Sequence, residues 1–164
     1  MDKYFLSELI VQPCQGCESC QSEGSCKIVD DDAALVLGAL SRCDALIIGS
    51  PVYYRNVTAQ LKALFDRSFA YGPQLLEGKP GGAIAVGRGE GGGQANVLMV
   101  IYNFMLSCGG LPVPGELNGL SARADQPGEI LLQPTRLEQA RILARNVMRY
   151  TKQLHLEKQM LNRQ

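Results

Sequence analysis

Ala45-Leu-Ile-Ile48 is an unbroken apolar run, the pattern of a strand buried on both faces of a parallel sheet. Gly49, Ser50 and Pro51 stop it, and the pattern then turns helical, with Leu61, Leu64, Phe65 and Ser68 on one face. A buried strand followed by a sharp turn and an amphipathic helix puts the turn at the carboxyl end of the strand. Open α/β sheets bind their ligands there. The turn carries Tyr53, Tyr54, Arg55 and Asn56, an aromatic and polar set suited to a flat heteroaromatic ring. In an ordinary βα loop the same tyrosines would simply pack on their neighbours.

Around this unit the pattern predicts a strand over Tyr4 to Val11, ended by Pro13. A loop over 13–27 follows, then a helix over Ala33 to Leu40 capped by Asp30 or Asp31. Leu75 to Pro80 reads as a connector and Gly82 to Val86 as a second buried strand. Beyond the Gly87–Gly93 loop, Gln94 to Ser107 forms a helix with Val97, Ile101, Phe104 and Met105 inward. Leu111 to Pro114 makes a short final strand, and Gly115 to Pro127 a surface loop. A last helix over about 135–160 opens on a capping box, Thr135 with Glu138. Its Arg141, Arg145 and Arg149 stripe reads as a solvated face. Strands alternating with helices, with no repeat, predict a single α/β domain with a parallel sheet.

Charge narrows the function classes. The 164 residues carry 16 basic and 16 acidic side chains, so no net charge draws the chain to nucleic acid. No apolar run approaches bilayer length, and Tyr4 to Val11 is too short and polar for a signal peptide. The expectation is a cytoplasmic protein without a membrane partner. In that reducing setting six cysteines read as metal or redox chemistry rather than disulfides. With His155 the sole histidine, near the C-terminus, the inventory argues against a His-based metal site or a Ser-His-Asp triad.

Cys14, Cys17, Cys20 and Cys26 follow C-x2-C-x2-C-x5-C, with Gly16 and Gly24 to turn the backbone tightly. Four thiolates so spaced suit a [4Fe–4S] cluster or tetrahedral zinc, and free or redox-active thiols are a third reading. Zinc more often takes two separated C-x2-C knuckles, which favours iron–sulfur. Cys43 and Cys108 read as buried structural thiols. Gly87-x-Gly89-x-x-Gly92 matches a dinucleotide fingerprint, but the acidic residue near the required distance, Glu116, follows Pro114 in a loop. The plainer reading is a loop whose backbone closely approaches a flat ring.

These residues, in order, carry a resemblance. Pro-Cys-x-Gly-Cys-x-x-Cys, Gly-x-Cys, Asp-Asp, Ile-Gly-Ser-Pro-Val-Tyr, Ala-Gln-Leu-Lys-Ala-Leu-Phe-Asp-Arg, Gly-Lys-Pro and the glycine loop resemble the NAD(P)H-dependent FMN reductases, above all their iron–sulfur flavoprotein branch. The likeness runs from about Leu9 to Val113, and the block from Ser50 to Arg67 is its specific part. It implies a flavodoxin-like three-layer sandwich that binds FMN. It also implies electron transfer between a cluster or nicotinamide and a small-molecule or protein partner, in a homodimer or homotetramer. Ser50, Pro51, Val52, Tyr53, Tyr54 and Asn56 would border the isoalloxazine, with Gly87, Arg88 and Gly89 on its other side. Cys14, Cys17, Cys20 and Cys26 would hold a [4Fe–4S] cluster, or zinc in the alternative of a non-enzymatic module on a degenerate scaffold. NAD(P)H is the candidate electron donor.

The likeness begins at what corresponds to the family's second strand. A first β–α unit of roughly thirty residues or more, with the phosphate loop, has no counterpart in it. The expectation is that Ala45 to Ile48 has an unpaired edge, and that FMN binds more weakly than to a chain extended upstream by that unit. Either Tyr4 to Val11 or another chain would then cover the edge.

Overall fold

The computed structural model describes residues 1–89 and 93–161. Gly91 and Gly92 of the glycine loop lie outside the described residues. A short helix α1, Ser19–Glu23, and helix α2, Ala33–Arg42, precede strand β1, Leu46–Pro51. Helix α3, Ala59–Arg67, leads by way of a 3₁₀ turn over Ser68–Tyr71 to strand β2, Pro80–Gly87. Helix α4, Gly93–Ser107, and strands β3, Leu111–Pro112, and β4, Leu120–Arg123, follow. Helix α5, Pro134–Leu161, ends the described chain.

All described strand pairings are parallel: β1 lies on one side of β2, with β3 and β4 on the other. The central strand is so rich in small residues because helices sit close on both faces. A Cβ at Gly81 would meet Met105 Sδ at 2.8 Å on α4, and one at Gly82 would meet Leu143 Cγ at 3.0 Å on α5. The main core gathers α2, α3 and α4 on one face, with the Phe65 and Phe104 rings stacked 3.9 Å apart. Helix α5 covers the other face through buried Leu143 and Val147. Among the described residues no helix is long and apolar enough to cross a membrane.

Five expectations are corrected. Gly49, Ser50 and Pro51 do not stop the strand but lie within β1, paired with Ile84, Ala85 and Val86 of β2, because Gly49 and Pro51 turn their peptide groups away from that ladder. Strand β1 is not buried on both faces: Leu46 and Ser50 are buried, whereas Ile47 is 43% exposed. Helix α5 packs on β2 and β4, leaving that face of β1 open. Tyr4 to Val11 forms no strand but an irregular segment with one 3₁₀ turn, Leu6–Glu8. Aspartates hold its end instead: Ile10 N donates to Asp32 Oδ2 (2.8 Å), and Gln12 N, just past the segment, to Asp31 Oδ2 (2.9 Å). Residues 111–112 are not the final strand, since β4 rises inside the expected surface loop and continues their course along β2. Gly119, at φ +107°, ends the excursion between them where a Cβ would meet Ala83 O at 2.8 Å. Finally, Thr135 is not a cap. Pro134 takes the first helical position, where its missing N–H costs nothing, and Glu138 pairs outward with Arg141 and Arg145.

The edge of β1 away from β2 has no partner among the described residues, as its sequence position implied. Val52 N donates to Val86 O (2.8 Å), which sets the parity of the strand. Ile48 and Ser50 therefore turn their peptide groups toward β2, while Ile47, Gly49 and Pro51 turn theirs to the open edge. Proline lacks the N–H that would be stranded there. Its outward carbonyl accepts from the Ser50 hydroxyl at 2.8 Å.

The N-cap of α2 is Asp32, not Asp30 or Asp31, and its side chain makes no cap bond; Asp31, one residue earlier, accepts from Ala33 N at 3.1 Å and pairs with buried Arg67 at 2.6 Å. Burial opposes ionisation of this carboxyl, but hydrogen bonds from Arg67, Gln12 and Ala33 outweigh burial and hold it below the usual carboxylate value. A folded-state pKa below the unfolded one gives stability that is complete above about pH 4 and lost as pH falls through the folded value. Urea denaturation at stepped pH should show that loss, and Asp31→Asn should flatten it.

Candidate functional site

The turn after β1 is tighter than an ordinary βα loop. Tyr53 N donates to Asn56 O and Asn56 N to Tyr53 O, each at 2.9 Å, which forces both central residues left-handed. Tyr54 has φ 47° and Arg55 φ 62°, conformations that cost about 1–2 kcal/mol per non-glycine residue. Such strain is typical of ligand clamps. Its visible effect is to present two aromatic rings outward: Tyr53 is 62% exposed, and Tyr54 is exposed throughout. The turn is anchored at both ends. Asn56 Oδ1 accepts from Val57 N (2.8 Å) and Ser50 Oγ from Thr58 N (3.2 Å), and Thr58 Oγ1 then caps α3 by accepting from Leu61 N (3.3 Å).

The glycine loop meets this turn at Val52. A Cβ at Gly87 would lie 2.9 Å from Val52 Cγ2, and one at Gly93 would lie 2.6 Å from Val52 Cγ1. Gln94 Nε2 donates to Gly89 O at 2.9 Å, holding the start of the loop against α4. The carboxyl ends of β1 and β2 thus bring Ser50, Pro51, Val52, Tyr53, Tyr54 and Asn56 beside Gly87, Arg88 and Gly89. Asp125, just past β4, adds a carboxylate 4.0 Å from Arg88 Nε. Neither Asp125 nor Gln94 was marked by its local sequence.

The four loop cysteines are placed differently. Cys14 and Cys17 are exposed, Cys20 lies on α1, and Cys26 is partly covered. Among the described residues no three Cys, His, Asp or Glu side chains are gathered closely enough to hold a metal. Cys14 Sγ accepts from Gly16 N (3.5 Å), and Cys17 Sγ lies 3.2 Å from Ser19 Oγ. Hydrogen bonds from the Ser19 hydroxyl and backbone hold the Cys17 thiol below its ordinary value, toward the thiolate that binds metals. Burial instead pushes up Cys43 and Cys108, as expected of structural thiols.

A soft-metal centre fits this donor set on two counts. All four thiols lie on one segment, and nothing lies within 4 Å of where side chains at Gly16 and Gly24 would begin, so the backbone has room to regroup. Beside the segment, Arg67 Nε is a buried donor without a nitrogen or oxygen partner, next to Cys26. A thiolate sulfur would satisfy it. Arg67 carried no local signal beyond its spacing, three residues after Leu64 on the buried face of α3.

Residues 3–122 match the family described as NADPH-dependent FMN reductase. The chain belongs to that family. An iron–sulfur flavoprotein of Methanocaldococcus jannaschii is 38% identical over 153 residues, covering 90% of this chain and 78% of the relative. An iron–sulfur flavoprotein of Methanosarcina thermophila is 37% identical over 106 residues, covering 63% of this chain and little more than half of that relative, 55%. The flavodoxin-like architecture of this FMN reductase family member is shared with a WrbA-like flavodoxin of Agrobacterium tumefaciens. That structure has a TM-score of 0.56 at 24% identity and covers 69% of this chain and 71% of its own. A Trp repressor binding protein of Bacillus subtilis has a TM-score of 0.54 at 22% identity, covering 70% and 71%.

Proposed function

We propose that this chain is an FMN-dependent oxidoreductase of the iron–sulfur flavoprotein type. The observation that supports it is the strained Tyr53–Asn56 turn, which holds aromatic rings outward beside the glycine loop. Tyr53 and Tyr54 offer flat faces to an isoalloxazine ring, and Ser50, Pro51, Val52 and Asn56 set the height of that shelf. Gly87 and Gly89 let backbone approach the ring from the far side, with Arg88 supplying positive charge at the rim. Cys14, Cys17, Cys20 and Cys26 hold a [4Fe–4S] cluster. When bound, FMN interconverts one- and two-electron steps and the cluster relays single electrons. The residues around them govern solvent access and hydrogen bonding. NAD(P)H is the proposed donor, a small-molecule or protein redox partner the acceptor, and a homodimer or homotetramer the assembly.

Anaerobic reconstitution followed by iron, sulfide and flavin analysis tests this. One cubane and one FMN per chain are expected, whereas stoichiometric zinc would overturn the electron-relay role. Tyr53→Ala should weaken FMN binding roughly threefold to tenfold, the worth of one aromatic contact, without changing the circular dichroism spectrum. Unchanged affinity in a flavin titration would remove Tyr53 from the ring site.

A further inference from the structure

Helix α3 joins the two loops of the proposed site. The ring-side turn ends at its cap, Thr58, and Arg67 stands at the other end, nine residues and about 13 Å along. Arg67 Nη1 donates to Gln12 O at 3.1 Å and Nη2 to Ile28 O at 2.8 Å. Gln12 lies two residues before Cys14, and Ile28 two residues after Cys26. One side chain therefore clasps both ends of the cysteine loop. Asp31 anchors that side chain, at 2.6 Å from Nη1 and 3.3 Å from Nη2, and ties itself to the same strand of chain through Gln12 N.

From this geometry we infer that Arg67 is the positioning residue of the cysteine loop. It fixes the loop ends in the register that lets four thiolates reach one cluster, and it donates its unpaired Nε–H to the Cys26 sulfur. The inference rests on the iron–sulfur reading above. A hydrogen bond to a ligand sulfur stabilises the more negative, reduced cluster and so raises its potential.

Arg67→Lys keeps a charge for Asp31 but cannot clasp both loop ends and also reach Cys26. In the anaerobically reconstituted chain it should speed iron loss to a chelator about 10- to 100-fold, the usual effect of removing a ligand's supporting partner. It should also lower the cluster potential. In the cluster-free chain, trypsin should cut after Lys27, inside the clasped segment, faster relative to Lys152 on α5. FMN affinity should be unchanged, since the ring turn is anchored at the opposite end of α3. Should Arg67→Lys not fold, the neutral pair Asp31→Leu/Arg67→Met carries the same readouts. Unchanged iron loss, potential and Lys27 cleavage in a folded variant overturn the inference alone. A parent chain that takes up no iron and sulfide overturns the cluster reading, and this inference with it.

Discussion

Arg67→Met is expected to destabilise the fold by about 3–5 kcal/mol, the cost of stranding one partner of a buried ion pair. Both side chains are almost wholly buried, at 2% exposure for Arg67 and 0% for Asp31. Asp31 would keep its amide donors but lose Arg67, the one cation it faces at hydrogen-bond distance among the described residues. Against a typical domain stability of about 5–15 kcal/mol, that loss leaves little margin. The neutral pair Asp31→Leu/Arg67→Met should remove the penalty of the stranded charge but not the loss of hydrogen bonds: those of Arg67 to Gln12 O and Ile28 O, and those of Gln12 N and Ala33 N to Asp31, about 1 kcal/mol each, would stay lost. Urea titrations of the parent, both singles and the double close the cycle. Singles within 1 kcal/mol of the parent would mean that water reaches the pair.

Cys20→Ser should reduce iron bound after anaerobic reconstitution to about a tenth of the parent level or less, because a cubane is left with three thiolates. Cys20 stands at the start of α1, between the exposed Cys14 and Cys17 and the Arg67-side Cys26, so no neighbouring thiol substitutes for it without unwinding that turn. Cys43→Ser and Cys108→Ala should retain the parent's iron. Cys43 Sγ donates to Leu40 O at 3.3 Å and Cys108 is buried in the core, and neither belongs to the loop segment. If iron content falls equally in all three variants, the ligand assignment is wrong.

The sequence pattern placed the turn after β1 and the start of the glycine loop better than it placed the edges of the sheet. The Leu61, Leu64 face was legible because an amphipathic helix leaves its own periodicity, whereas the stop expected at Gly49, Ser50 and Pro51 was misplaced: the strand runs on through Pro51, paired with Val86. The Gly87–Gly89 approach to the ring turn followed from glycines placed where a strand ends. Tyr4 to Val11 has strand-like side chains, but a strand also requires a partner, and the segment is held at its end by Asp32 on Ile10 N and, just beyond it, by Asp31 on Gln12 N. Leu120–Arg123 was hidden in Gly, Asn and Pro residues that mark turns, since a four-residue strand has too few positions to show alternation. Arg67 was concealed by its type. A charged residue beside Asp66 at a helix end normally faces water, and only its register with Leu64 points inward.

The outward parity of β1 has a consequence for isotope exchange. Ile48, Ser50 and Val52 direct their amides to β2 and should exchange slowly with deuterated solvent. Ile47 and Gly49 sit between them in sequence yet face the open edge, so their amides should exchange fast, and Pro51 has no amide to report. The strand therefore carries a two-proton gauge of its own edge. A strand laid along it, from an upstream segment of a longer chain or from another molecule, would slow those two protons and leave the intervening ones as they were.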